Sequence, residues 1–301
     1  MTSERLNLQN TPDGDSVVRR SVSFPSSGQR LAGTLFLPSE RAGRVPGVVV
    51  TGAWTTVKEQ MPGTYARELA SRGFAALTFD FTGWGESGGA PRYVEDPSTK
   101  TDDVHAAVDF LASLEEVDER RLAGLGICAS SGYIAATVAD HPRLQRLAMV
   151  APWLHDPAMA EQIYGGAEGV AGLIEQGRTN PEGVLVAAST TDPSAPMFGA
   201  PYYTEADRGL IPEYDNRFGV ASWQPWLTYD AQQIADRLTA PTLIVCSEAA
   251  ALPAGARAFT ERLGIDVTEL WLDDVSQFDF YDRRDVVERS VEAVAAHFAQ
   301  P

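Results

Sequence analysis

A chain of 301 residues, 44% of them hydrophobic, is long enough to bury the sizeable core of one large α/β domain. Its 24 basic and 41 acidic side chains leave a net charge of -17, which disfavours nucleic acid and anionic membranes because both would repel it. The start "MTSERLNLQNTPDGD" lacks a signal peptide's apolar run, no stretch approaches the ~20 apolar residues that span a bilayer, and two cysteines make no disulfide framework. A cytoplasmic protein is the expectation.

Residues 1–20 read as a flexible lead-in. "VVRRSVSFPSSGQRLAGTLFLP" then alternates and turns at "PSSGQ" as a hairpin does. "VPGVVVTG" is a continuous apolar run, expected of a strand buried on both faces. "TYARELASRG" carries Tyr65 and Leu69 at helical spacing and stops at Gly73. "FAALTFDF" is the next buried strand. "TDDVHAAVDFLASL" predicts a helix with Val104, Val108 and Leu111 on one face and acids in its first turn. Strand "RRLAGLGI", helix "SSGYIAATVAD" and strand "LQRLAMVAP" continue the alternation, which predicts a mostly parallel sheet flanked by helices. Over 153–229 the rhythm gives way to a segment rich in Gly, Pro, Tyr and Trp. It reads as an inserted cap, since structureless loops of that length are rare. Helix "AQQIADRL", strand "APTLIVC", helix "AGARAFTERLG", strand "VTELWL" and helix "RDVVERSVEAVAAHFA" follow, so the core is 21–152 and 230–301.

The chemistry centres on Gly126-Ile127-Cys128-Ala129-Ser130, where a strand must turn sharply into a helix. Such a bend holds its central side chain in a strained, exposed pose above the sheet. Either Cys128 or Ser130 can be the apex, but only Cys128 leaves small residues on both sides. A buried cysteine packed as a small hydrophobe is the bland reading. At a helix N-terminus the Cys128 thiol is expected to have a lowered pKa.

The segments "VVVTGAWTTVKEQM", "FDFTGWGESGG", "GICASSGYIA" and "SQFDFYD", in that order, resemble the α/β-hydrolase superfamily and specifically its dienelactone-hydrolase-like branch. The resemblance runs from about Val45 to the C-terminus and is weakest in the cap. It implies the α/β-hydrolase fold, Cys128 as nucleophile, and an oxyanion hole built from the backbone N–H of Ala53 or Trp54 and that of Ala129. Two triad positions depart from the superfamily. The acid position falls on Ala250, with Glu248 two residues early either substituting or facing solvent. The histidine position falls on Gln277, whose amide cannot take a proton near neutral pH.

Of the four histidines, His105, His141 and His297 read as structural or solvated. His155 follows a strand's C-terminal end, the edge where open α/β sheets bind ligands, and is the candidate base. Glu59 either points to the pocket or caps a helix, Asp80 pins a loop, and Asp279 and Tyr281 anchor the final loop. Trp54, Tyr164, Tyr202, Tyr203, Trp223 and Trp226 either line a pocket for a bulky, partly apolar small molecule or pack the cap; of these, Tyr164, Trp223 and Trp226 are the expected substrate contacts. No metal-ligand spacing, phosphate loop or cofactor fingerprint occurs, so no cofactor is expected, and nothing fixes an oligomeric state. The leading function is an enzyme acting on an ester, lactone or thioester through Cys128. The alternatives are a non-hydrolytic carbonyl enzyme (cyclase, isomerase or lyase) and a non-catalytic ligand-binding relative.

Overall fold

The computed structural model describes residues 4–5 and 16–300. Most of the expected lead-in lies outside them, but its end is ordered: β1 (Val17–Ser26) already begins at Val17 and pairs antiparallel with β2 (Gln29–Pro38). Ser27 and Gly28, with φ of 43° and 80°, form the two-residue turn that right-twisted strands require.

The alternation continues through β3 (Val45–Thr51), α1 (Met61–Ala70), β4 (Ala75–Phe79), α2 (Pro97–Ala112), β5 (Val117–Ile127), α3 (Ser130–Asp140) and β6 (Leu144–Val150). Small elements then intervene: α4 (Pro157–Ile163), α5 (Gly166–Thr179), β7 (Val184–Val186), β8 (Ala188–Ser189), β9 (Met197–Phe198), β10 (Arg217–Gly219) and α6 (Trp223–Leu227). The core resumes with β11 (Thr242–Cys246), α7 (Pro253–Arg262), β12 (Val267–Trp271), α8 (Asp279–Asp282) and α9 (Arg284–Ala299). The large sheet runs β1-β2-β4-β3-β5-β6-β11-β12, antiparallel at its first two joins and parallel thereafter. None of the strands β7 to β10 joins it.

Helices α1 and α9 pack together on one face, α2 and α3 on the other. Both faces of β3 are therefore covered, which is why Val48, Val49 and Val50 form an uninterrupted apolar run with no exposed area. Two local expectations need correction. Helix α2 starts early because the Asp96 carboxylate accepts from Ser98 and Thr99 N–H ahead of Pro97, leaving no acid in the first turn. Asp103, on its second turn, accepts from Ser26 Oγ (2.6 Å) and Thr82 N–H (2.7 Å) and ties the hairpin to the loop after β4. "AQQIADRL" forms a 3-10 turn, Gln232–Arg237, in place of an α-helix.

Candidate active site

The chain leaves β5 and enters α3 through Cys128, which is left-handed with φ 59°. A non-glycine residue there costs roughly 1–3 kcal/mol, so the surroundings must hold it. The Cys128 N–H donates to Val150 O (3.0 Å), and the Cys128 carbonyl accepts from Trp153 N–H (3.0 Å). Gly126 has to be small: a Cβ there would stand 2.6 Å from Ser131 Cα. Ser130 lies inside the first turn of α3, its hydroxyl bonded to the Ile127 backbone, so the apex of the bend is Cys128.

The backbone N–H groups of Trp54 and Ala129 converge on Cys128 Sγ. Of the two residues expected from the loop after β3, Trp54 is thus the one turned toward the sulfur, while the Ala53 carbonyl accepts from Thr56 Oγ1 (2.6 Å). That loop is braced from behind. Thr55, with φ 64°, donates its N–H to Glu95 (3.3 Å), and its hydroxyl meets Tyr214 Oη (3.1 Å). Glu95 is itself fully buried and held by Lys100 Nζ (2.7 Å) and Tyr133 Oη (2.8 Å). The Lys100 ammonium lies over the rings of Phe81 and Trp84, at 4.6 and 4.9 Å. Glu95 and Lys100 carry no signal in the sequence, because polar residues are ordinarily solvated and only tertiary packing buries this pair.

Burial pushes the Cys128 thiol above its ordinary pKa, against the lowering effect of the Tyr281 hydroxyl and the two N–H groups. The expected lowering by the helix terminus is overturned because a helix end is typically worth only about 0.3–1 kcal/mol. Full burial of an ionisable group reaches several pKa units, each worth about 1.4 kcal/mol.

Gln277 is buried with every polar atom committed. Its Nε2 donates to Ala151 O (2.9 Å) and Tyr281 Oη (2.9 Å), and its Oε1 accepts from Ala251 N–H (3.0 Å). The loop after β11 therefore reaches Gln277 through its backbone, without an acid. Glu248 turns outward, well exposed and paired with Arg257 on α7, and is not among the partners of Gln277. Tyr281 stands between Gln277 and Cys128 with its hydroxyl directed at Sγ. Tyr281, expected only to anchor the final loop, thus also reaches the Cys128 bend. The one available signal was its spacing of four from Gln277, which places both on one side of a helical turn.

His155 has a different job from the expected base. Trp153 Nε1 donates to its Nδ1 (3.1 Å), which fixes the hydrogen on Nε2, and Nε2 in turn donates to Trp226 O (2.8 Å). Burial also pushes its pKa down. It is a neutral, locked imidazole outside the cavity lining. His141 faces Asp109 (3.4 Å) and His297 faces Pro241 O (3.2 Å). Asp80 accepts from Lys58 N–H, Lys58 Nζ and Glu86 N–H, pinning the loop as expected, and Glu59 pairs with the same Lys58 at 2.7 Å, away from the sulfur.

Cys128 opens into a cavity of about 270 Å³ walled by Trp54, Trp153, Tyr164, Tyr203, Trp226 and Phe278, with residues 196–200 closing one side. Tyr164 and Trp226 line it, joined by a Trp226 Nε1 to Tyr164 Oη bond of 3.0 Å. Trp223 does not: it packs on Phe218 at 4.7 Å and donates to Gln176 at 3.1 Å. Among the described residues no cluster of His, Cys, Asp or Glu is placed to hold a metal ion, and no helix is long and apolar enough to cross a membrane.

A parallel sheet wrapped by helices, with an antiparallel hairpin at one edge and a strained bend after the fifth strand, is the α/β-hydrolase fold. The sequence model of the family described as "Serine aminopeptidase, S33" matches residues 48–274, and the chain belongs to that family. It is similar to the uncharacterized protein PA2218 of Pseudomonas aeruginosa, 42% identical over 147 residues that span 48% of this chain and 39% of that one. The crystal structure of PA2218 superposes with a TM-score of 0.83 at 27% identity, over 96% of this chain and 95% of that one. The uncharacterized protein YcjY of Escherichia coli K12 is 25% identical over 94% of this chain and 99% of its own length. A thiohydrolase of Eupenicillium brefeldianum is 28% identical over 71% of this chain and 74% of its own.

Proposed function

We propose that the chain is an acyl-transferring enzyme that draws an acyl group from a thioester, ester or lactone onto Cys128. The observation that carries this reading is Cys128 Sγ at a left-handed apex, facing a cavity and met by the backbone N–H groups of Trp54 and Ala129. Attack of Sγ on a carbonyl carbon puts negative charge on the carbonyl oxygen, and in this reading those two N–H groups stabilise it as hydrogen-bond donors. Collapse of the adduct expels a thiol or alcohol and leaves an acyl-cysteine. The cysteine apex matches the dienelactone-hydrolase-like resemblance, and the thiohydrolase relative favours a thioester donor. Aromatic walls suit a small, partly apolar acyl group.

Release to water is the slow step. General-base activation of water is typically worth about 10²–10⁴-fold, and neither Gln277 nor the locked His155 supplies it. A second reading, chemistry on a carbonyl without hydrolysis, is favoured by Tyr281: burial keeps its phenol protonated far above the ordinary range, so it is a hydrogen-bond donor in the site.

Incubation with acyl thioesters of N-acetylcysteamine, followed by peptide mass spectrometry, tests the proposal. The acyl mass is expected on the peptide containing Cys128 and absent in Cys128→Ala. Turnover without an adduct, an adduct elsewhere, or binding with no reaction at all would overturn it.

A further inference from the structure

The group that moves the thiol proton has to be found among the polar atoms around Sγ, and these are few. Gln277 cannot accept a proton, and both its amide hydrogens are already spent, one on Ala151 O and one on Tyr281 Oη at 2.9 Å. That second bond decides how Tyr281 is used. A phenolic oxygen has one hydrogen and two acceptor lone pairs. One lone pair is taken by Gln277, so one lone pair and one hydrogen remain for its two other polar neighbours on the cavity wall, Cys128 Sγ and the Tyr203 hydroxyl. The ring has no freedom to leave. It is buried against Tyr202 at 5.1 Å and Phe278 at 5.8 Å, and Gln277 is itself clamped by Ala251 N–H at 3.0 Å. Only the hydroxyl hydrogen can turn.

We infer that Tyr281 is a catalytic residue, a hydroxyl shuttle that takes the proton from Cys128 and delivers its own to the leaving group. The inference rests on the proposed acyl transfer to Cys128. As the Sγ–carbon bond forms, the S–H proton passes to the lone pair of Tyr281 Oη that Gln277 does not occupy, with the Tyr203 hydroxyl turned aside. The phenolic hydrogen passes to the sulfur or oxygen of the leaving group as its bond to the carbonyl carbon breaks. Products are the acyl-cysteine and a neutral thiol or alcohol, and Tyr281 ends as the phenol it began. Neither a free thiolate nor a phenolate accumulates, which suits a cavity whose burial opposes both charges. Gln277 is then a positioning residue: its N–H orients the remaining lone pair, a task an amide performs without titrating.

The pH dependence of Cys128 acylation is the test, measured as pre-steady-state release of N-acetylcysteamine from its acyl thioester. With the shuttle, the neutral thiol reacts and the rate is level from about pH 6 to pH 8, below the raised thiol pKa. Tyr281→Phe keeps the ring and removes the shuttle, so acylation must wait for thiolate. The rate is expected to fall about 10²-fold or more at pH 7 and to climb roughly tenfold per pH unit. A Phe variant with the parent's rate, or one slowed equally at every pH, overturns the shuttle. Should that variant fail to fold, the parent's solvent isotope effect serves instead. A shuttle gives slower acylation in D2O, whereas attack by a preformed thiolate gives faster acylation and overturns it. If the parent never acylates Cys128, the functional proposal itself has failed; if it acylates and the variant matches it, only the shuttle has.

Discussion

Gln277→His combined with Ala250→Asp is expected to raise steady-state hydrolysis of an activated aryl ester by about 10²-fold or more over the parent. Gln277 already occupies the meeting point of three structures: the loop after β11 through Ala251 N–H, the end of β6 through Ala151 O, and the Cys128 bend through Tyr281. An imidazole there stands where it can deprotonate water beside an acyl-cysteine. Alone it lacks an orienting acid, because Glu248 is spent on Arg257 at the surface. A carboxylate at position 250 supplies one, so the pair should exceed either single change. A double variant no faster than the parent would show that Gln277 does not hold the triad position.

The largest effect on stability is expected from Lys100→Met. Lys100 and Glu95 are both almost wholly buried and 2.7 Å apart. Removing the ammonium strands a carboxylate in the interior, which typically costs about 3–5 kcal/mol. Methionine fills similar space, so the loss reports the unpaired charge rather than a cavity. Adding Glu95→Gln should recover most of it, since the stranded charge is then gone. Denaturant unfolding of the single and double variants checks both statements, read as a shift in midpoint at unchanged slope. An unaffected Lys100→Met would mean that Glu95 holds Thr55 N–H and Tyr133 without needing its counter-ion.

Much of this fold was legible because strand and helix periods alternate and the buried runs are continuous. The run Val48 to Val50 reads as a strand covered on both faces, and it forms one. The apex at Cys128 was legible for a steric reason: Gly126 and Ala129 are the small neighbours a left-handed bend demands. What escaped was decided by contacts between distant segments. His155 stands just past β6 as expected, yet Trp226 takes its Nε2 hydrogen and Trp153 fills its Nδ1 lone pair. Helix α3 does begin at the bend, but the burial of Cys128 outweighs the helix terminus and raises the thiol pKa. Trp223 is one turn from Trp226 on α6, and packing against Phe218 turns it away from the cavity. The link from Tyr281 to Sγ is hidden in the sequence because Cys128 follows β5, in a distant part of the chain.

The central claim is that Cys128 carries the acyl group and that no base hurries its release. Rapid mixing of the protein with excess acyl thioester, with the freed thiol followed in time, tests it most directly. A burst of about one thiol per chain followed by a much slower steady phase is expected, with the burst absent in Cys128→Ala. Linear release from the first moment, or a burst that survives in Cys128→Ala, would contradict it.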